Sequence, residues 1–320
     1  MNIHHLRAVR EVVRQDFQVS RAAEALDRAQ PGVSRQIIEL EEELGVKIFR
    51  RSKNRIQELT VAGRDMLPLF ERILRDVESV HAIGAEHSAE DSGRLVVATT
   101  HTHAHYSLPV VIKKFSRAFP GVKLALRQGN PLQCRQAVAS GAADLAISTQ
   151  EPPAIAGLVA IPTYRVDWDM VAMANHPILR QRPLTMEKII RYPLITHDSA
   201  FSGRQVISEA FARVKGTPHV VLDGADADVS KAYVAQGLGI AILAKVAFDP
   251  KRDKKLRLLR VEHLLKPSIL FISLREHSYL RGFLLRFISL YAPHLTPDLV
   301  KDVVENGADT EALMRSAPPL

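Results

Sequence analysis

Three histidines alternate in the stretch VATTHTHAHY: His101, His103 and His105. On a β-strand that spacing would put all three imidazoles on one face. Two imidazoles so placed can share a zinc ion with a third ligand and a polarised water, the arrangement of a metal-dependent hydrolase. Three features oppose that reading. The chain should leave strand geometry near Thr102, no Asp or Glu lies nearby in sequence, and neither HExxH nor CxxC occurs. No metal ligand, catalytic residue or resident cofactor is therefore assigned, and an enzyme is not expected. GLGIAI lacks the dinucleotide fingerprint, and FSGR lacks the G-x-S-x-G turn of a serine hydrolase. Cys134 is the only cysteine, which excludes an internal disulfide, and it reads as a core thiol in an apolar helix. Trp168 reads as surface or lobe-edge packing without a role.

The neighbouring hydroxyls make a different site. RLVVATT reads as a buried strand, YSLPVVIKKFSRAF as a helix, VKLALRQG as a strand, PLQCRQAVASG as a helix and ADLAIST as a strand. This β-α-β-α-β alternation implies a parallel sheet with helices on both faces. The chain should cross into a second unit around residues 162–169, where PLITHD, a helix after Gly203, HVVLDG, DADVSKAYVAQG and GIAILA repeat the alternation. SILFISL and a helix over residues 279–291 return to the first lobe, and a polar, irregular tail follows Pro293. Ligands of open parallel sheets sit beyond the carboxyl ends of the strands, where helix N-termini present free N–H groups to anions. Thr100, Thr102 and Thr149 fall at that edge in the first lobe, and Ser202 precedes the first helix of the second. They converge on one interlobe cleft; singly, each would serve equally well as a helix cap.

The first sixty residues carry other chemistry. Residues 4–14 read as a helix with Leu6, Val9, Val12 and Val13 inward. Ser20 is a candidate N-cap for a short Ala-rich helix over residues 21–26, residues 27–29 turn, and Pro31 suits the first position of a helix ending at Gly45. Two helices so spaced describe a helix-turn-helix, with Ser20, Arg21, Gln30, Pro31, Ser34 and Arg35 toward DNA. Gln and Arg read base edges bidentately. FRRSKNRIQELT places Arg50, Arg51, Lys53 and Arg55 around a Ser-Lys-Asn turn, a basic wing for phosphate contacts. Thr60 then caps a long helix with Met66, Phe70, Ile73, Val77 and Val80 on one stripe and Pro68 inside it. Packing of Phe70 and Ile73 against the same helix of a second subunit is expected. A net charge of +8 agrees with a polyanionic partner. No apolar run long enough to span a bilayer and no signal-peptide pattern occurs, so a cytoplasmic protein without a membrane partner is expected.

The order SRAAEAL, QPGVSRQIIELEEELGVKIF, basic wing, LTVAG and long helix resembles the LysR-type transcriptional regulators over roughly residues 1–87. The resemblance implies an α/β chain: a winged helix-turn-helix (residues 1–59), a dimerising linker helix (60–90) and a two-lobed effector domain like periplasmic binding proteins (91–295). Lobe I would span about 91–164 and 267–295, lobe II about 165–266, and a tail 296–320. It further implies promoter DNA and a small-molecule effector as partners, homodimers paired into a homotetramer, and contact with RNA polymerase. LVVATTHTHAHYSLPVVIKKF, ADLAIST, FSGR and DADVSKAYVAQGLGIAI are similar to the CysB-like branch, which governs sulfur assimilation, and to related regulators of sulfonate use. In that branch the cleft takes sulfate or an acetylated serine, and the matching positions are Thr100, Thr102, Thr149 and Ser202. His103 stands where the branch usually has Gln, and Ser202 where it often has Thr. If His103 touches the anion, its protonation should tighten binding as pH falls. A regulator of an unrelated catabolic pathway is the alternative.

Overall fold

The computed structural model describes residues 1–53, 55–88, 92–149, 155–224 and 226–320. Asn54 at the tip of the expected wing, and residues 89–91 at the expected linker boundary, lie outside the described residues. The chain forms two compact units, Met1–Ser88 and Ala89–Leu320.

In the first unit, α1 (Ile3–Arg14), α2 (Val19–Ala25) and α3 (Gln30–Leu44) precede a hairpin of β1 (Phe49–Ser52) and β2 (Arg55–Leu59), then α4 (Val61–Ser88). Leu6, Val9 and Val12 of α1 pack with Ala22 and Ala23 of α2 and Val33, Ile37 and Leu40 of α3. The two alanines leave room for α2 to lie close against α3. Gly45 ends α3 at φ 69°, a left-handed conformation that glycine adopts without a Cβ penalty. Thr60 caps α4 by accepting the Gly63 N–H at 2.9 Å. Two start signals fall elsewhere than expected. α2 starts at Val19 with Gln18 at its N-cap, so Ser20 lies inside the helix and its hydroxyl faces Gln30 at 3.3 Å. Pro31 is the second residue of α3, after Gln30.

Phe70 is a correction to the expected subunit contact. It is 5 % exposed and, with Leu74, completes the core of its own unit. Leu69, Ile73, Val80 and Ile83 form the exposed apolar side of α4 instead. One stripe was read where the helix carries two: Phe70 and Leu74 point to the helices below, Ile73 and Val80 away.

In the second unit β3 (Gly93–Thr99), α5 (His101–Tyr106), α6 (Leu108–Ala118), β4 (Val122–Gln128), α7 (Pro131–Ala139) and β5 (Leu145–Thr149) build the first lobe. β6 (Leu158–Val166) continues through Asp167 into β7 (Trp168–Met173) of the second. There follow α8 (Met186–Ile189), β8 (Leu194–His197), α9 (Ser202–Arg213), β9 (Val220–Gly224), α10 (Ala227–Ala235), β10 (Ile240–Ala244) and β11 (Leu256–Arg260). β12 (Ser268–Arg275) and α11 (Gly282–Tyr291) return to the first lobe, and α12 (Pro297–Asn306) and α13 (Glu311–Ser316) end the chain. The sheets run β4-β3-β5-β12-β6 and β11-β7-β10-β8-β9. They are mixed rather than wholly parallel: β3 pairs in parallel with β4 and β5, and β8 with β9 and β10. The strands leading into and out of the crossings pair antiparallel, β12 with β5 and β6, and β7 with β10 and β11.

The histidine stretch is helical from His101, in line with the expected departure from strand geometry near Thr102, so the alternation does not give one face. One further expectation is corrected. The tail is ordered: Thr296 caps α12 by accepting the Leu299 N–H, and Gly307 ends it in the left-handed region. Val300, Val303 and Val304 are buried in the core of the unit. The last residues then bond to β6, with the Arg165 N–H donating to the Pro318 carbonyl at 2.7 Å and the Leu320 N–H to the Arg165 carbonyl at 2.9 Å.

Candidate functional site

Between the lobes lies a cleft lined by Thr100, Thr102, His103, Thr149, Val166, Trp168, His197, Phe201, Ser202, Gly203 and Ala244. It gathers every ligand position read from the sequence. Thr100 is the N-cap of α5 and 4 % exposed. Thr149 ends β5, and the Ser202 hydroxyl, in the first turn of α9, donates to the Thr149 hydroxyl at 2.8 Å, joining the lobes. Among the described residues the lining has no Lys, Arg, Asp or Glu. Its polar atoms are hydroxyls and imidazoles, donors suited to an uncharged or oxyanionic group.

His103 is 2 % exposed, and burial pushes it down to about 4, so it is neutral above that pH and donates one hydrogen bond. Its Nδ1 lies 3.4 Å from the Ser107 hydroxyl. The cationic His103 considered from the sequence is not its state at neutral pH, because desolvation outweighs any partner. His197, which the sequence reading missed, is likewise pushed down to about 4 by burial. Its Nε2 has no hydrogen-bond partner among the described residues. Trp168 is also corrected: it is buried, lines the cleft, stands edge-on to His197 at 5.8 Å between centroids, and donates to the Ser268 hydroxyl at 3.3 Å. His101 and His105 are not in the cleft lining and face Asp228 of α10. Cys134 is buried with its thiol pushed up to about 11, a weak nucleophile.

In the first unit the polar side of α3 and the hairpin make a basic surface. Arg21, Gln30, Pro31 and Arg35 are exposed, with Ser20 at the start of α2 and Ser34 half-buried on α3. The Arg35 guanidinium pairs with Glu39 one turn on, at 2.7 Å. Arg50 pairs with Glu58 across the hairpin at 2.8 Å, while Lys53 and Arg55 are exposed at its end. Glu41 organises this surface from beneath and was not singled out in the sequence. Its buried carboxylate accepts the N–H groups of Ile48 and Phe49 at 3.0 and 3.1 Å, and the Lys47 ammonium lies 3.2 Å away. It thereby ties α3 to the wing.

Residues 3–64 match the family described as "Bacterial regulatory helix-turn-helix protein, lysR family", and residues 88–296 the "LysR substrate binding domain". The chain belongs to the LysR family of transcriptional regulators. As a LysR-type regulator it is a DNA-binding protein with an effector domain, not an enzyme. It is 44 % identical over 313 residues to the HTH-type transcriptional regulator CysB of Burkholderia cenocepacia, covering 98 % of this chain and 100 % of that one. It is 43 % identical over 317 residues to SsuR of the same organism, covering 99 % and 100 %. The second unit is similar to the crystal structure of the cofactor-binding domain of the Cbl transcriptional regulator, with a TM-score of 0.65 and 36 % identity over 68 % of this chain and 96 % of that one. Among the described residues no helix is long and apolar enough to cross a membrane.

Two residues of this LysR-type cleft had no signal in the sequence. His197 ends a four-residue strand, LITH, and Trp168 begins another. Nothing local marks either as facing a cleft, since the register that aims them is set by pairing with β9 and β10.

Proposed function

We propose that this regulator is a cytoplasmic protein that binds promoter DNA and controls genes of sulfur assimilation or sulfonate utilisation, with sulfate or a small sulfur-pathway metabolite such as acetylated serine as effector. The observation that carries the reading is the cleft lining. Thr100, Thr102, Thr149 and Ser202 stand at the first turns of two helices and a strand end, with no charged side chain in the lining among the described residues. Such a site satisfies anionic oxygens with N–H and O–H donors rather than a counter-ion. The free space deep in this open cleft is about 30 Å³. A cavity of about 10–15 Å³ holds one water, so this space suits a compact oxyanion, whereas acetylated serine or an aromatic acid would have to part the lobes. The similarity to regulators named CysB and SsuR supports the same reading.

Promoter occupancy measured with and without sulfate tests it, together with transcript profiles of a deletion strain under sulfate starvation. Sulfate-dependent occupancy at sulfur genes is expected; occupancy that ignores sulfur supply and follows another metabolite would transfer the protein to a different pathway. On the DNA side, Ser20, Arg21, Gln30, Pro31, Ser34 and Arg35 face the groove, and Arg50, Arg51, Lys53 and Arg55 the phosphates. Arg35 exchanges Glu39 for a base. Arg35→Ala should narrow the gap between operator and mismatched DNA by about 1–3 kcal/mol. An operator preference unchanged in gel-shift titrations would remove Arg35 from the reading face.

Assembly as homodimers paired into a homotetramer uses the outer side of α4, where Leu69, Ile73, Val80 and Ile83 are exposed. RNA polymerase would meet the assembled regulator at the promoter. Ile73→Asp would bury an unpaired carboxylate at the subunit seam. Light scattering should then give a smaller particle with the effector unit still folded, and an unchanged mass would place the seam elsewhere.

A further inference from the structure

We propose that His101, His105 and Asp228 form a site for one zinc-class divalent ion that clasps the two lobes together outside the effector cleft. His101 and His105 stand one helical turn apart on α5, their rings stacked 5.9 Å between centroids and 25° from parallel. Asp228 comes from α10 of the other lobe. One ligand atom of each residue lies within 4.8 Å of the other two. His101 Nε2 is 3.4 Å, and His105 Nδ1 3.9 Å, from Asp228 Oδ2. A tetrahedral ion with bonds of about 2.0–2.1 Å holds its ligand atoms about 3.3 Å apart. Small ring movements therefore close the site. Two imidazoles and a carboxylate, with a fourth position for water, suit zinc rather than the all-oxygen preference of calcium or magnesium.

The surroundings favour these ligand atoms. Gln128 Oε1 lies 3.3 Å from His101 Nδ1, placed to accept the proton there and leave Nε2 as the ligand. The other carboxylate oxygen of Asp228, Oδ1, accepts the Tyr106 hydroxyl and lies 3.3 Å from the Lys231 ammonium, which fixes the carboxylate plane. Lys231 is itself held by the Ala247 carbonyl at 2.8 Å and by Asp253 at 3.1 Å, so its charge is shared. Arg252 opposes the ion: its guanidinium lies 3.3 Å from His105 Nε2. That side chain is 70 % exposed and has Asp249 as an alternative partner at 3.7 Å, so it can withdraw when Nε2 carries the proton. One of the three sequence arguments against a metal is the lack of a nearby carboxylate; Asp228 arrives from 123 residues beyond His105, through the second lobe. The site does not depend on which effector fills the cleft.

The test is a titration of the full chain, first stripped with a chelator, by zinc in competition with a chromophoric chelator, and separately by cobalt(II) followed by absorbance. One zinc per chain and the intense visible bands of tetrahedral cobalt are expected, with no competition from calcium. His105→Ala and Asp228→Asn should each lower zinc affinity at least about 100-fold and bleach the cobalt bands, and Gln128→Ala about 10-fold. His4→Ala and His5→Ala, in the other unit, should change nothing. Less than one zinc per chain, a pale octahedral cobalt spectrum in the native protein, or binding that survives both His105→Ala and Asp228→Asn overturns the site.

Discussion

Gly203→Ala should abolish sulfate binding to the effector unit. A Cβ at Gly203 would lie 2.4 Å from His197 Cδ2 and 2.8 and 2.9 Å from two ring carbons of Trp168. None of these atoms is the far end of a flexible chain. The His197 ring is hemmed between Trp168 and Phe201, with centroids 5.8 and 6.4 Å away, and Trp168 is held by Ser268. The methyl group must therefore push α9 outward or drive the rings into a cleft of only about 30 Å³. Either movement displaces Ser202, the neighbour that bridges to Thr149. Overpacking of this kind costs about 1–3 kcal/mol of stability, so the unit should still fold. The expected result is no measurable heat on calorimetric titration with sulfate, against a clear isotherm for the native protein, with the melting transition lowered but cooperative. Sulfate affinity within threefold of native would mean that the anion does not sit among these residues.

Stability of the effector unit should fall steeply as pH drops from about 6.5 to about 4. His103 and His197 are both buried, and burial pushes both down to about 4 from an ordinary value of 6.5. Between those values the unfolded chain binds protons that the folded chain refuses. The contribution of each neutral histidine is thus complete above pH 6.5 and is lost as pH falls toward 4. Each full unit of separation corresponds to about 1.4 kcal/mol, so the pair removes on the order of several kcal/mol over the window. Denaturant melts at intervals from pH 7.5 to pH 4.5 measure this directly. His103→Gln should reduce the slope by about half, since it removes one of two similar titrations. Sulfate affinity should vary little between pH 6 and pH 8, because neither histidine titrates there. Tighter sulfate binding at pH 6, abolished by His103→Gln, would show instead that the anion recovers the proton that burial excludes.

Much of the first unit was legible because its determinants are local. Gly45 and Thr60 act within one turn of their own backbone, and the spacing of Val33, Ile37 and Leu40 follows from helical geometry alone. The cleft hydroxyls Thr100, Thr149 and Ser202 were legible for a related reason. A strand followed by a helix puts its loop at one edge of the sheet whatever the rest of the chain does. Ser20 was misplaced because Gln18 can also begin a helix when the following residues pack well, and packing of Ala22 and Ala23 decided the start. The tail was misread although Thr296, Pro297 and Gly307 mark a helix, because its apolar content is only Leu299 and three valines. Their burial depends on the surface that α11 and β6 present.

The sequence by itself determined the strand-helix alternation of each lobe, the basic helix-turn-helix surface and the edge where the cleft hydroxyls gather. Each of these rests on interactions between residues a few positions apart, or on the sign of charge. Only the tertiary structure decided which face of α4 is buried, that His197 and Trp168 line the cleft, that burial holds His103 neutral, and that Asp228 meets His101 and His105. Burial and proximity between distant residues are properties of packed surfaces. A desolvated imidazole or a carboxylate brought from another lobe therefore leaves no trace in the spacing of the residues around it.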